Sequence, residues 1–337
     1  MALLFMDGVS HYATEDITKK WSSASNASVV SGGGRRGGGA LTLTLSTGSI
    51  TKILPSAIST VIVGFAFNAN SGTSGSSDLI RFGDGATVHA GLLIDDVNMR
   101  IGCFRSGGGV FAYSANNSVP ASGYIYVECK VTISDTVGTF EVRIDGATVI
   151  NLTGLDTRNG GNPTLDRIIL RAGMYNGGRF CDIYACDTAG STNNTFLGDV
   201  RIDTLFPNAD GNYSQFTPSS GSDHYALVDE STPNTSDYND GSTVGHRDSY
   251  AMQNLSALAS QTVYGVQALA AISKDDAGAK SAAVMVRSGS TNSDGTSTAL
   301  STSQTYLAKI YETDPNTATA WTETTVNSME AGSVVTA

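Results

Sequence analysis

The chain has 337 residues and a formal net charge of −11, and 40% of its residues are hydrophobic while only 15% are charged. This length can build more than one domain with its own core, and the abundance of Gly, Ser, Thr and Asn favours strands and turns over helices. The acidic balance, with a single basic pair at Arg35 and Arg36, excludes a nucleic-acid binder that relies on phosphate contacts.

The first residues, MALLFMDGVSHY, predict a short strand rather than an export signal. No basic segment precedes the apolar run, which ends at Asp7, whereas a signal peptide needs a basic start and a longer apolar stretch. No run approaches the roughly 20 apolar residues that cross a membrane. We therefore expect folding in a cytoplasm and no membrane insertion.

Strand-like segments then recur with turn residues between them, which predicts a β-sandwich or jelly roll. ALTLTLS (Ala40 to Ser46) alternates, with its leucines on one face, and TVIVGFAFNA (Thr60 to Ala69) is apolar on both faces. DLIRFGDG, HAGLLIDD, NMRIGCFR and VFAYSAN follow. Between the early strands, SGGGRRGGGA lacks the lysine of a phosphate-binding loop, so we expect a flexible or closely packed connection, or a contact loop.

The stretch from Tyr124 to Asp187 carries the clearest strand pattern. YIYVECKVTI alternates polar and apolar residues, which predicts one buried and one solvent-facing side. In FEVRIDGATVI, Asp145-Gly146 predicts a tight hairpin, because both residues tolerate positive φ. RIILRAG and RFCDIYACD follow, and DVRIDTLF (Asp199 to Phe206) is expected to close this first unit.

The four cysteines stand singly, and we expect them to be buried free thiols. None forms a C-x-x-C pair, which argues against a zinc site. A thiol on the apolar face of a strand acts as a small hydrophobe. The cysteines are Cys103, Cys129, Cys181 and Cys186.

A polar segment rich in Gly, Pro and Ser follows residue 208 and predicts a domain boundary. Beyond it, VYGVQALAAIS, KSAAVMVRSG and TYLAKIYETDP predict further strands, and WTETTVNSMEAG predicts one short helix. Thr322 is the expected N-cap and Gly332 the expected left-handed residue after the helix. The fold class expected is all-β, with two β-sandwich (jelly-roll) domains, the second having one short helix near its C-terminus. We place the domains at 1–208 and 222–337, joined by a linker at 209–221.

The first unit resembles the concanavalin A-like and laminin-G-like jelly rolls. The resemblance rests on YIYVECKVTI, on the FEVRIDG hairpin and on FCDIYACD, and it covers residues 60–187. Cys181 and Cys186 depart from the aspartate and apolar residues that the family usually has there. The resemblance implies a sandwich that binds ligands more often than it catalyses.

The second unit resembles a module of structural proteins in tailed bacteriophages. The matching text is DGSTVGHRDSYAMQNL, VYGVQALAAISKDDAGAKSAAVMVRSG and YETDPNTATAWTETTVNSMEAG, within residues 222–337. LLFMDGVSHY and FLGDVRIDTLFPNADG also resemble phage tail or virion proteins. The resemblance implies a virion component at the tail, baseplate or fibres, assembled in the host cytoplasm.

No catalytic constellation stands out in the sequence. Jelly-roll glucanases carry two carboxylates at alternate positions of one strand, but here Arg143 separates Glu141 and Asp145, which favours a solvated sheet face. The histidines lack metal-ligand spacing, and no nucleophile elbow is present, so we expect loop or surface histidines and no enzyme. The histidines are His11, His89, His224 and His246.

Calcium is the one metal that the loops could suit, and the signal is weak. Asp237, Asn239 and Asp240 alternate oxygen-bearing side chains in DYNDG, and Ca²⁺ takes six to eight oxygen ligands. NADGN and a later SDG are similar. Asp and Asn are also ordinary turn residues, and we favour turns over metal. No cofactor is expected.

Aromatic residues that could contact a sugar lie in or near the first sandwich, although no single site emerges. Tyrosine presents an apolar ring and a polar tip, so most such residues belong to sheet edges or to the core. The tyrosines are Tyr113, Tyr124, Tyr126, Tyr175 and Tyr184, and the neighbouring loop asparagines are Asn116, Asn117 and Asn176.

The function expected is therefore a structural component of a tailed-phage virion, associated with the tail, baseplate or fibre, with a possible role in attachment to host-surface glycans. Expected partners are other virion proteins, further copies of the chain and a host glycan. The alternatives are a glycan-binding receptor-recognition lectin proper and a head decoration protein. A polysaccharide depolymerase ranks last, because no carboxylate pair can be named.

Overall fold

The computed structural model describes residues 2–45, 47–69, 75–171, 178–255 and 262–337. Within these residues the protein is nearly all β, with several antiparallel sheets, which confirms the expected fold class. The chain divides into two compact units, Met1–Ile202 (unit 1) and Asp203–Ala337 (unit 2). No helix in the described part of the chain is long and apolar enough to span a membrane.

The described part of unit 1 contains fifteen strands and one short helix, α1 (Ile17–Lys20). The strands are β1 (Leu3–Asp7), β2 (Ser23–Ser25), β3 (Ala27–Val30), β4 (Ala40–Leu43), β5 (Ser49–Ile58), β6 (Thr60–Asn68), β7 (Ser76–Asp84), β8 (Thr87–Asp95), β9 (Arg100–Arg105), β10 (Gly109–Tyr113), β11 (Tyr124–Thr132), β12 (Gly138–Ile144), β13 (Ala147–Leu155), β14 (Leu165–Arg171) and β15 (Arg179–Cys186).

These strands form two antiparallel sheets. Sheet A has the order β13-β12-β11-β6-β15-β4-β3, with β1 added beside β15, and sheet B has the order β10-β9-β8-β7-β14-β5-β2. The apolar residues at alternate positions share one face of each sheet and form the core, where Phe111 of sheet B meets Phe140 of sheet A with ring centroids 6.1 Å apart. Each large side chain buried in this way contributes about 1.5–3 kcal/mol.

Several local expectations hold in unit 1. β6 is buried along its inner length on both faces. Asp145 and Gly146 take φ values of 49° and 80° and join β12 to β13 as a tight hairpin. All four cysteines are buried and free. Other expectations are wrong: β4 ends at Leu43, so Leu45 is 51% exposed, and residues 199–206 form no strand.

Unit 2, as far as it is described, contains ten strands and one helix, α2 (Glu323–Ser328). The strands are β16 (Pro207–Ser214), β17 (Thr217–Pro218), β18 (Asn239–Asp240), β19 (Arg247–Met252), β20 (Val266–Ile272), β21 (Ser281–Ser288), β22 (Thr291–Asp294), β23 (Thr298–Ala299), β24 (Thr305–Tyr311) and β25 (Glu330–Val335). The main sheet has the order β16-β19-β25-β21-β22, and β20 pairs with β24.

The helix of unit 2 begins as the sequence predicts but ends differently. The Thr322 hydroxyl accepts a hydrogen bond from the backbone N–H of Thr325, which completes a capping box. Trp321 and Val326 lie in the core of this unit. Gly332 does not follow the helix as a left-handed residue; it lies inside β25, where an added Cβ would meet the carbonyl oxygen of Asp248.

The segment 209–221, expected as a linker, is part of unit 2. β16 pairs with β19 across an irregular register, and Thr217 and Pro218 pair with Asp240 and Asn239. The sequence did not predict β16 because its side chains are mostly polar. A strand at the edge of a sheet can carry such side chains, since they face solvent.

Candidate functional site

The face of sheet B that points away from the core carries arginines, glycines and aromatic rings. The register places Arg81 beside Gly91, Gly91 beside Phe104, and Gly102 beside Tyr113. Residues two apart on a strand share a face, which adds the remaining members. We call this surface the arginine face; its residues are Arg81, Gly91, Leu93, Arg100, Gly102, Phe104, Tyr113, Arg167, Ile169 and Arg171.

Tyr113 forms an aromatic platform at one end of the arginine face. Its ring lies over Gly102, where an added Cβ would come within 2.8 Å of the ring carbon Cε1. The Arg100 guanidinium stacks on this ring, 4.0 Å from the centroid. Tyr113 nevertheless remains 37% exposed. The ring is therefore held in place and still accessible, which is an arrangement that suits stacking against a ligand.

Arg100 is itself fixed by polar neighbours. Its Nε donates to Asp95 Oδ2 at 2.8 Å and its Nη1 donates to Asn116 Oδ1 at 3.1 Å. The side-chain amide of Asn98 and then Arg100 hold the pKa of Asp95 below its usual value. The ionised Asp95 keeps the guanidinium in place over the ring.

The opposite end of the arginine face holds Arg81 and Arg171. Arg81 forms an ion pair with Asp78, and Arg167 forms one with Asp166 at 2.7 Å. For the side chain of Arg171, the described residues supply no hydrogen bond or ion pair. Partial burial, and then the neighbouring Arg81, lower the pKa of Arg171 from its ordinary value. Arg171 is thus a half-buried cation beside another cation. An anion of a ligand could offset the electrostatic repulsion between the two guanidinium groups.

Part of the corresponding outer face of sheet A is covered. Tyr126, Glu128 and Tyr184 are each 1% exposed, so the expectation that β11 has one solvent-facing side is wrong. Two segments cover it, the glycine loop at 31–39 and the segment at 196–202. We call this surface the covered face.

Buried hydrogen bonds fasten this cover. Tyr184 OH donates to Glu128 Oε1 at 2.5 Å, and the backbone N–H of Gly198 donates to the same oxygen at 2.8 Å. Burial, and then Glu128, raise the pKa of Tyr184, which keeps the phenol a donor. A buried carboxylate that is bonded in this way holds the segment at 196–202 against the sheet.

Arg35 of the glycine loop anchors the other part of the cover. Its Nε contacts Asp182 Oδ2 at 2.7 Å, its Nη1 pairs with Asp199, and its Nη2 donates to the backbone oxygen of Val200. The guanidinium also lies over the Tyr126 ring, 4.9 Å from the centroid. The glycine loop is therefore a closely packed connection, and the contacts of Arg35 hold it against the sheet.

The carboxylates considered for glycoside hydrolysis do not form a pair. Arg143 Nε donates to Glu141 Oε1 at 2.9 Å, while Asp145 in the hairpin accepts a hydrogen bond from the backbone N–H of Tyr126 at 2.7 Å. Arg143 also stacks on Phe196, 4.0 Å from the ring centroid. These groups support the covered face rather than a reaction centre.

The candidate sugar-contacting tyrosines separate into two groups. Tyr126 and Tyr184 are buried, and Tyr124 is partly buried and donates to the backbone oxygen of Gly33 at 2.5 Å. Tyr113 and Asn116 meet at the arginine face through Arg100, while Asn117 is exposed with a φ of 59°. Tyr175 and Asn176 lie outside the described residues.

The calcium candidates in unit 2 lie in and beside a short strand. Asn239 donates to the His224 carbonyl oxygen at 2.8 Å, and Asp240 is exposed. Oδ1 of Asp237 and Oδ1 of Asn239 are buried without a hydrogen-bond partner. Within the described part of the chain, no three His, Cys, Asp or Glu side chains are grouped to hold a metal.

Of the histidines expected in loops or at the surface, two are buried: His89 lies inside β8, and His224 lies in a loop as expected but is not exposed. His89 is fully buried, and its Nδ1 accepts the backbone N–H of Asn159 at 3.1 Å. His224 is 7% exposed and its Nδ1 lies 2.6 Å from Oδ2 of the buried Asp248. Asp248 also accepts the backbone N–H groups of Gln215 and Phe216, so this pair fixes loops to β19.

Comparison with known proteins finds likeness at the level of solved structures alone. No family model matches the chain, and no curated protein matches it. The Trypanosoma rangeli sialidase in complex with the inhibitor DANA matches 48% of this chain and 27% of its own length, at 14% identity and a TM-score of 0.34. The match therefore spans about a quarter of the sialidase.

An alginate lyase, Aly36B, matches over nearly its whole length. A double mutant of it in complex with alginate trisaccharide covers 55% of this chain and 97% of its own, at 9% identity and a TM-score of 0.40. Aly36B itself matches over the same shares of the two chains, at 11% identity and a TM-score of 0.36. These neighbours are carbohydrate-binding or carbohydrate-processing β-sandwich proteins.

The neighbours correct the expectation that this protein is not an enzyme. Both the sialidase and the alginate lyase are enzymes, and the expectation is therefore not upheld. With identities of at most 14% and TM-scores of at most 0.40, the likeness transfers no substrate, residue role or reaction to this chain.

The arginines of sheet B were not among the residues that the sequence pattern indicated as candidates. Their signal was present, because RFGDG, MRIGCF and RIILR each place an arginine at alternate positions with residues of the same face. Placing those three segments on one face of the same sheet requires the strand order β9-β8-β7-β14, which the sequence does not reveal.

Proposed function

We propose that the protein is a structural component of a tailed-phage particle, associated with the tail, baseplate or fibre, and that unit 1 attaches it to a glycan of the host surface. The observation that carries the glycan part is the accessible, fixed Tyr113 ring on the arginine face. The phage part rests on the resemblance of residues 222–337 and of the opening LLFMDGVSHY to virion proteins.

The arginine face has the chemical groups that sugar binding needs. An aromatic ring offers an apolar surface to the C–H groups of a sugar, and guanidinium groups donate hydrogen bonds to its oxygens. Gly91 and Gly102 let the rings of Phe104 and Tyr113 lie close to the sheet, since these rings occupy the space where the Cβ atoms would be. Because Arg100 holds Tyr113 in place, little side-chain entropy is lost on binding.

Assembly into a particle would strengthen such a site. A single sugar-binding surface is usually weak, but several copies on one particle convert later contacts into intramolecular ones. This is consistent with the expected partners, which are further copies of the chain and other virion proteins.

The test is binding of the full chain to polysaccharide purified from the surface of host cells, measured by isothermal titration calorimetry. Tyr113→Ala should weaken binding about tenfold, as expected when one aromatic contact is lost. The matched control is Tyr238→Ala, which removes a 54% exposed tyrosine of unit 2 and should leave binding unchanged. Equal affinity of both variants and the parent chain would reject the arginine face as the site.

Two further measurements separate the neighbouring hypotheses. Release of new sugar ends from the same polysaccharide would make the protein an enzyme acting on the glycan that it binds. Mass spectrometry of purified particles tests the structural role, and absence of the chain from particles would overturn it.

A further inference from the structure

We propose that the arginine face selects glycans that carry negative charge, such as carboxylated polysaccharides, and that Arg171 is the residue that recognises the charge. This inference rests on the proposed function, because it names the class of glycan for the same surface. It follows from three features of unit 1: the distribution of charge, the environment of Arg171 and the extent of the face.

The acidity of the chain does not lie in unit 1. This unit contains 15 of the 20 Lys and Arg residues but only 16 of the 31 Asp and Glu residues, so its formal net charge is −1 while that of unit 2 is −10. Four of its arginines project from one face of sheet B. An anionic ligand would therefore meet little general repulsion at this unit and a local concentration of cations.

The four arginines differ in how their charge is balanced. Asp95, Asp78 and Asp166 pair with Arg100, Arg81 and Arg167, respectively. Arg171 forms no ion pair among the described residues. Burial and then Arg81 disfavour its charged form, and Asp78, which is paired with Arg81, opposes them only in part. A guanidinium has five N–H donors and matches a carboxylate with two parallel hydrogen bonds. An anion placed here would satisfy those donors and offset the repulsion from Arg81.

The face is wide enough to hold a chain rather than a single ion. Arg171 lies on β14 and Tyr113 on β10, with β7, β8 and β9 between them. Four steps of about 4.8 Å between neighbouring strands separate the two residues by roughly 19 Å. The partly exposed Phe104 and the buried Gly91 and Leu93 lie between them. One glycan chain could thus place a sugar ring on Tyr113 and a carboxylate on Arg171.

The experiment compares two polymers that differ in charge alone. Polygalacturonate and its carboxyl-reduced, neutral form are titrated against the full chain, alongside the host polysaccharide. We expect tighter binding of the charged polymer and a loss of about five- to tenfold in Arg171→Gln, since one charge-assisted contact is removed. Arg81→Gln is the second variant, and it should weaken the same binding.

The matched control is Arg36→Gln, which removes the same charge from the glycine loop at the covered face. Arg36→Gln should bind polygalacturonate with the affinity of the parent chain. Raised salt should lower the affinity of the parent chain for polygalacturonate more than it lowers that of Arg171→Gln. Circular dichroism checks that each variant is folded.

The outcomes separate the two proposals. If the neutral polymer binds as well as the charged one and Arg171→Gln changes nothing, selection for charge is wrong while glycan binding stands. If neither these polymers nor the host polysaccharide bind, the proposed function fails as well. If duplex DNA of equal charge competes as strongly as polygalacturonate, the face is a general polyanion surface and the inference is overturned.

Discussion

The covered face of sheet A and the arginine face of sheet B each contain a tyrosine ring packed over a glycine, but the ring is buried on sheet A and exposed on sheet B. On sheet A, the Tyr184 ring lies over Gly64, where an added Cβ would be 2.1 Å from the ring carbon Cε1; on sheet B, Tyr113 lies over Gly102 in the same manner, at 2.8 Å. Tyr184 is 1% exposed and Tyr113 is 37% exposed.

The difference lies in what covers the ring. Tyr184 donates to Glu128 beneath the segment at 196–202, whereas Tyr113 is stacked by Arg100 and remains accessible. A tyrosine placed over a glycine is therefore not a binding feature in itself. Buried polar partners make it part of the structure, and exposure makes it available to a ligand.

The largest effect that would test this difference is expected from Arg35→Ala. The substitution removes the buried partner of Asp182 and opens the cover over Tyr126, and loss of one member of a buried ion pair costs about 3–5 kcal/mol. Differential scanning calorimetry should show a fall in the melting temperature of unit 1 of roughly 6–20 °C. Arg36→Ala, in the same loop, is the control and should change little. Equal effects of the two variants would show that the loop is not held by Arg35.

The sequence predicted the strands of this region better than it predicted their surroundings. Alternation in YIYVECKVTI correctly located β11, and Asp145-Gly146 correctly located the hairpin, because both signals are local. The burial of Glu128 depends on Gly198, which lies 70 residues away in the sequence. The ion pair of Arg35 with Asp182 joins residues that are 147 positions apart. No periodicity within a single strand reports such contacts.

The candidate site, too, depends on contacts between strands that no pattern within a single strand reports. Tyr113 and Asn116 were candidates from their residue types, but their link through Arg100 appears only when β9 and β10 pair. Arg171 was not a candidate, since its significance depends on Arg81 across the β14–β7 pairing and on Asp78, which forms its ion pair with Arg81 rather than with Arg171.

A matched pair of glycine substitutions gives the next largest effect. Gly64→Ala would force the Tyr184 ring away from Glu128, and overpacking of this kind costs about 1–3 kcal/mol. Gly102→Ala should cost under about 1 kcal/mol, because the exposed Tyr113 ring can be displaced toward solvent at the expense of its stacking on Arg100, and because alanine restricts the unfolded chain. Urea unfolding measures both. Similar losses in the two variants would mean that Tyr113 is held as rigidly as Tyr184.

The smallest effect concerns pH and the segment that supports the glycine loop. Ser10 accepts the backbone N–H of Gly39 at 3.2 Å, and its neighbour His11 has its pKa lowered from 6.5 to about 4 by burial and then by Lys20. The folded protein therefore binds fewer protons than the unfolded chain between these values. The stability of unit 1 should fall as the pH drops from about 6.5 toward 4.

His11→Gln isolates this contribution. From pH 7 to pH 5 the parent chain should lose about 1–2 kcal/mol more than the variant, and between pH 7 and pH 8 the two should change in parallel. The arginines of sheet B stay charged throughout this range, so binding to a strongly acidic glycan should persist while the cover of sheet A loosens. If stability and binding declined together in the parent chain and stayed coupled in His11→Gln, the two faces would not be independent, and the covered face would have to be counted as part of the binding site.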